Sequence, residues 1–313
     1  MLENLRRKSL VKTYIDRRCS INFEQGHAIY LDSYSLAQHT QRLSKKKVDK
    51  SFSSTFDGVS KEFKLISHTL RDVQFNMIYC PKDTFIMGLE DEDKDEDADP
   101  KDNQPRLETI ESPFLLGETE VTQDLYEKVI GKNPSEFKNR PQNPVENVSW
   151  EDAILFCNEL SKLQGLELCY TKQSTKKFDW LCDFGKNGYR LPEEKEWEYA
   201  AKAGTQNRWA GTNDPNELDK YAWFEKDIDH GSTYPVATKL PNEWGFYDMG
   251  GNVDEWCWDK FNPNSKKFSN YRVLRGSCWF GNDVTLRSAH RMADKPSTLL
   301  FSQGFRVCRS VVN

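Results

Sequence analysis

The chain has 313 residues, enough for one large domain or two ordinary ones, and a mean hydropathy of -0.80 still leaves room for a sizeable core. Its 44 Lys and Arg face 49 Asp and Glu, a formal net charge of -5, which argues against a protein built to grip nucleic-acid phosphates. Apolar runs such as "SPFLLG" are far too short to span a bilayer and the N-terminus lacks the apolar stretch of an export signal, so residence at the cell surface or outside requires a signal or lipid anchor that has been removed.

Residues 1–75 differ in texture from the rest: basic at the start, Ser-rich over 33–60 and free of Trp, as an N-terminal segment or small module would be. Within "DGVSKEFKLISHTLRDV", Phe63, Ile66 and Leu70 recur at helical spacing and predict a helix leading into a main domain over 76–313. All 9 Trp lie beyond Met77. "MIYCPKDTFIMG" reads as strand, Pro turn and strand. The acidic run "EDEDKDEDAD" over 90–99 cannot pack against itself and reads as a solvated loop; it lacks the Gly and ligand spacing of a calcium loop.

Three helices announce themselves by their caps. The first opens at Thr122, places Leu125 and Val129 on one face and stops at Gly131. The second, "SWEDAILFCNELSKLQG", has Ser149 as cap, Asp152 at the capping-box position, and a buried face of Ile154, Cys157 and Leu160 with Ala153 and Phe156 beside it; Gly165 ends it. The third, "LPEEKEWEYAAKAG", carries Pro192 in its first turn, Glu193 and Glu194 against the helix dipole, and Gly204 at its end. Beyond Gly204 the sequence turns to short segments rich in Trp, Gly, Asn and Asp, so loops and short strands dominate and the fold class is α+β.

Eight cysteines are scattered without a C-x-x-C pair, which disfavours a zinc site, and Cys157 and Cys257 sit among apolar neighbours as buried thiols do. The five histidines form neither HExxH nor a Cys/His nucleophile pattern.

Six stretches occur in one order: "MIYCPKDTFIMG", "GETEVTQDLYEKVIGKNPSEF", "NPVENVSWEDAILFCNELSKLQGL", "YRLPEEKEWEYAAKAG", "PNEWGFYDMGGNVDEWCWD" and "VLRGSCW…LRSAHR…GFRVCRS". Together they resemble the formylglycine-generating enzymes and their sulfatase-modifying-factor relatives, and the resemblance implies a C-type-lectin-like α+β fold, loop-rich with short strands and a few helices. Fold alone does not fix function. The family's catalysts use two cysteines that hold copper, and the resemblance puts those positions at Gly281 and Leu286, neither of which can ligate it; Cys278 and Cys308 lie out of register. Copper and oxidase activity are therefore not expected. The resemblance further implies a calcium site at Asp248, Gly251, Val253 and Glu255, with the carbonyls of Gly251 and Val253 among the ligands; the same two carboxylates could instead cap turns. Trp223 replaces the leading Asn of a second calcium site.

The last segment, 272–310, more closely resembles the variable proteins of diversity-generating retroelements, including those of Treponema, with "LRSAHR", Pro296 and "GFRV" at matching spacing. In that group a template repeat diversifies a ligand-binding surface at adenines, mostly of Asn codons, which can yield most residues but never Lys, Gln, Glu, Met or Trp. Phe280, Gly281, Asn282, Asp283, Val284, Thr285, His290, Ala293, Asp294, Ser297, Thr298, Leu299, Leu300, Phe301 and Ser302 all fall in the allowed set; Met292, Lys295 and Gln303 need other template codons. Candidate ligand-binding positions are therefore these fifteen and Met292. Leu286 and Phe305 read as core, and Leu299 or Leu300 as half-buried; His290 is as well suited to a local hydrogen bond as to a ligand. Neither "FGNDVT" nor "STLLFSQ" shows the periodicity of packed structure, whereas anchors and hydrogen-bonding groups on a rigid frame suit recognition. The expectation is a non-catalytic receptor- or adhesin-like protein that binds a protein or cell-surface ligand. The alternative is a sulfatase-modifying-factor-like enzyme, or a catalytically dead relative, that acts on or binds another protein.

Overall fold

The computed structural model describes residues 49–56, 59–88 and 104–312; the acidic run over 90–99 lies outside the described residues. Strands β1 (Asp49–Phe56), β2 (Val59–Leu70) and β3 (Val73–Cys80) form an antiparallel meander, with Leu70 paired to Val73 across a tight turn where Arg71 takes a left-handed φ of 56°. The helix expected over Phe63, Ile66 and Leu70 is instead the strand β2. The spacing misleads because Ile66 and Leu70, four apart, share a face at both a helical and a two-residue period. Buried His68 lies between them, and partly or fully exposed Ser67 and Thr69 point the other way, which is the strand pattern.

The two strands expected of "MIYCPKDTFIMG" are β3 and β4 (Asp83–Met87), but Pro81 and Lys82 form no turn between them: they carry the chain into a separate ribbon, where β4 pairs with β5 (Arg106–Ile110). Strand β6 (Phe114–Gly117) pairs with β3, and the C-terminal β14 (Cys308–Ser310) closes on β6 and on β9 (Tyr189–Arg190), giving a six-stranded sheet in the order β1-β2-β3-β6-β14-β9. A short hairpin joins β7 (Tyr170–Lys172) to β8 (Trp180–Cys182). The remaining strands, β10 (Asp254–Lys260), β11 (Arg272–Arg275), β12 (Met292–Asp294) and β13 (Gln303–Gly304), form a second sheet in the order β12-β11-β10-β13, with only the β10–β13 pair parallel.

Helix α1 (Gln123–Ile130) is capped by the Thr122 side chain and ended by Gly131 at φ 86°. In α2 (Trp150–Leu163) the Ser149–Asp152 capping box forms in full, and Ala153, Ile154, Phe156, Cys157 and Leu160 are buried. Helix α3 (Glu194–Lys202) starts after Glu193, so Pro192 precedes the first turn, and its box uses Glu196. It ends on Ala203 and Gly204, both left-handed, at φ 49° and 78°.

Four Trp, 150, 197, 244 and 256, are almost fully buried between the helices and the sheets. Their indole N–H groups are put to use: Trp150 donates to the Cys257 carbonyl at 3.0 Å, Trp256 to the Val148 carbonyl at 3.0 Å and Trp197 to Glu255 at 2.8 Å. The seven described cysteines are all free and buried, and burial raises the thiol pKa of Cys157 and Cys257.

Candidate ligand-binding surface

The segment from β11 to β14 alternates between fixed and open residues. Residues 272–279 are buried throughout, as are Leu286, Ser288, Ala289, Pro296 and Ser302 to Arg309. Between them Phe280, Asn282, Asp283, Ser297, Leu299, Leu300 and Phe301 are exposed. Leu299 or Leu300 is expected to be half-buried, yet both stand out, at 52% and 40% exposure, while Leu286 and Phe305 are core as expected.

Two buried arginines hold this frame. Arg275 donates to Glu198 at 2.5 Å and Glu194 at 3.2 Å on α3, and to the carbonyls of Ser288 at 2.6 Å and Ala289 at 3.3 Å, so it binds the loop to the helix. Arg306 makes a two-pronged pair with Glu255, at 2.6 and 2.7 Å, and donates to the carbonyls of Gly117, Tyr247 and Asp248. Main-chain bonds carry the anchoring outward: the Asp283 carbonyl accepts from Trp209 Nε1 at 2.7 Å, the Gly281 carbonyl from Glu225 N–H at 2.9 Å and the Leu300 carbonyl from Asn147 N–H at 2.9 Å.

The structure does not treat all sixteen candidates alike. Ser302 is 4% exposed, beneath the surface rather than on it, because its carbonyl accepts from Asp254 N–H at 2.8 Å. Gly281 is half-buried, and an added Cβ would meet Ser277 Oγ at 2.1 Å, so the loop is closed around it. Thr285 is half-buried; its hydroxyl meets Ser277 Oγ at 2.8 Å and donates to the Asn282 carbonyl at 3.0 Å. Asp294 accepts from Thr298 Oγ1 at 2.8 Å and from Gln303 Nε2 at 3.1 Å, bracing the loop from below. Met292 packs on the core, and Val284, His290, Ala293 and Thr298 are half-buried.

Two aromatic residues outside that set adjoin the exposed ones, Phe137 half-buried and Trp279 buried beneath them. Phe137, in the loop after α1, lies edge-on to Trp279 (centroids 6.0 Å apart) and to Phe301 (5.9 Å); Trp279 is edge-on to Phe280 at 4.9 Å. Sequence reasoning passed over Phe137 because it lies far from the C-terminal segment. Its one local signal is a lone aromatic within the loop-forming "KNPSEF".

The positions the resemblance assigns to copper hold no sulfur. Leu286 is buried against Trp209, Leu218, Ala222 and Phe224, and burial raises the pKa of the Cys278 thiol strongly. Around the implied calcium site, Asp248 is buried; one oxygen accepts from Ala237 N–H at 2.8 Å and Oδ1 has no hydrogen-bond partner among the described residues. Glu120, Asp248 and Glu255 crowd one guanidinium, Arg306. Burial raises the Glu120 pKa well above its ordinary value, with the charges of Asp248 and Glu255 adding to it; burial likewise raises Asp248 to about 6. Crowded carboxyl groups and an orphaned oxygen suit a hard cation, although Glu255 already gives both oxygens to Arg306 and Trp197. Among the described residues, no three His, Cys, Asp or Glu side chains are grouped to hold a metal.

Comparison with known proteins places this arrangement. A sulfatase-modifying factor enzyme 1-like domain matches residues 62–311. Treponema denticola variable protein 1 superposes with a TM-score of 0.70 at 34% identity, covering 78% of this chain and 98% of that one. The chaperone protein LppX of Paenibacillus barcinonensis is 34% identical over 227 residues, 64% of this chain and 81% of LppX. A formylglycine-generating enzyme of Streptomyces coelicolor is 28% identical over 208 residues, and the match spans 54% of that enzyme. The six- and four-stranded sheets, the helices α1 to α3 and the long C-terminal loops among the described residues make the loop-rich, C-type-lectin-like α+β fold. The matched domain runs from β2 to β14 and takes in both the buried arginine frame and the exposed loops, and the chain belongs to the sulfatase-modifying factor enzyme 1-like family.

Proposed function

We propose that the chain is a non-catalytic ligand-binding protein that displays a retroelement-diversified C-terminal surface on a C-type-lectin-like scaffold, at the cell surface or outside the cell. The observation that carries this reading is the alternation over 272–310: framework residues are buried and ion-paired, whereas Phe280, Asn282, Asp283, Ser297, Leu299, Leu300 and Phe301 face solvent. Large apolar side chains exposed together on rigid backbone favour binding. A calcium, held by Asp248 with Glu255 and the Gly251 and Val253 carbonyls, belongs to the same proposal. When bound it would offset the charge of the crowded carboxyl groups of Glu120, Asp248 and Glu255 and so fix the loop that precedes β10.

The test begins in the gene. A downstream near-copy of the codons for residues 275–309, differing almost only at adenines and lying near a reverse transcriptase, is expected; a neighbourhood without one removes the diversification. The catalytic alternative has its own measurement. Incubated with a cysteine-containing sulfatase peptide, copper and reductant, the protein should leave the cysteine unmodified, because Gly281 and Leu286 offer no thiolate. Formylglycine above a protein-free control would establish an enzyme instead.

A further inference from the structure

Phe137 is half-exposed, yet its backbone is held on both sides by buried side chains. Its N–H donates to Glu146 Oε1 at 3.0 Å and its carbonyl accepts from Gln123 Nε2 at 3.1 Å. Glu146 Oε2 takes the adjoining Glu136 N–H at 3.0 Å. Glu146 is 0% and Gln123 1% exposed, so two desolvated polar side chains are committed to placing one ring at the surface. Such support is what a recognition residue needs and what a bystander on a loop does without.

Trp279 provides the second observation. It is 8% exposed, and its Nε1–H is buried without a hydrogen-bond partner among the described residues, whereas Trp150, Trp197 and Trp256 all satisfy theirs. Phe280 and Phe301, both exposed and both in the variable set, pack on its indole at 4.9 and 6.1 Å. A partner would reach this buried indole only by displacing one of the two rings.

We propose that Phe137 and Trp279 are the fixed anchor of the display site, and that this anchor takes an apolar side chain of a protein partner whose adjoining main-chain carbonyl accepts from Trp279 Nε1. This rests on the reading of the segment as a ligand-binding surface. Both anchor residues stand apart from the variable set: Phe137 lies outside 272–310, and Trp279 is a type that no randomised Asn codon yields. The anchor therefore gives every variant the same apolar contact, and the variable residues around it choose among partners. Protein is favoured over glycan by composition: the side chains exposed around the indole, Phe280, Leu299, Leu300 and Phe301, are large and apolar, the kind of surface that a protein partner covers.

The experiment selects binders to the full chain from a random linear peptide library on phage, and titrates the selected peptides against variants checked for an unchanged melt. Selected peptides are expected to carry a large apolar residue. Phe137→Ala, and separately the milder Phe137→Leu, should weaken them by about tenfold or more, the scale of a buried anchor. Trp279→Phe, which removes only the donor and the larger ring, should weaken them too, while Leu155→Ser on the exposed face of α2 should change nothing. If binding is lost in Leu299→Ser/Leu300→Ser but untouched by the anchor variants, the display surface stands and the anchor fails. If none of these variants alters binding, both readings fail. Recovery of glycan ligands alone from a parallel array, with no peptide selected, also overturns the anchor.

Discussion

At the scale of single residues, the surface rests on charges that the interior has to tolerate. Glu255 is fully buried, and without the guanidinium of Arg306 it would be an uncompensated charge in the core. Arg306→Leu should therefore cost about 3–5 kcal/mol in chemical denaturation, and adding Glu255→Gln should restore part of the loss; a single variant as stable as the parent would refute the pair's role. Asp259 is a group held against its preference. It accepts from Glu194 N–H at 2.6 Å, but burial, reinforced by the Glu194 charge, raises its pKa from 3.8 to about 7. Below the unfolded value the group is protonated in both states and carries no penalty. As pH rises from about 4 towards 7 the unfolded chain ionises first, so stability falls across that window. Asp259→Asn should flatten the decline; the same pH slope in both proteins would show that Asp259 is not its source.

At the scale of elements, the helices are the part that local chemistry settles. Thr122, the Ser149–Asp152 box and the glycines after α1 and α3 mark their ends because a cap is a bond between neighbours in sequence. The loops between β11 and β14 are different, since which of their residues face out depends on what packs beneath. Leu286 is wedged among Trp209, Leu218, Ala222 and Phe224, whereas Phe280 and Leu299 face solvent. Leu286→Ala should cost about 2–5 kcal/mol, and Leu299→Ser or Ser297→Ala no more than about 0.5 kcal/mol each. Unfolding produced by most of the exposed substitutions would make the segment core and end the recognition reading.

At the scale of the whole molecule, the C-terminal strand locks both ends of the domain together, because β14 lies between β6 and β9 in the sheet that β2 and β3 extend. The loop carrying Asp248 is tied to the same chain end through Arg306, which reaches its carbonyl. A calcium there would stabilise the native state alone, so a chelator should lower the melting temperature and added calcium restore it. An unchanged melt with no metal found by elemental analysis would show that Arg306 suffices for the cluster.

The sequence by itself determined what neighbours decide: three capped helices, the break between strands at Pro81, buried cysteines and the absence of thiols at the copper positions. Six ordered motifs also carried the fold. It misread β2, because residues four apart share a face in helix and strand alike and only pairing with β1 and β3 chose between them. Phe137 and Glu146 were beyond reach for a related reason. A ring placed at the surface by bonds from Gln123 and Glu146, and packed on Trp279 and Phe301 more than a hundred residues away, leaves no periodic trace in its own stretch. Ser302 was misplaced for the same reason: it lies beneath the surface because Asp254, on another strand, holds its carbonyl from below. Exposure in a loop belongs to the tertiary structure, since burial there is set by long-range partners and not by the residue or its neighbours.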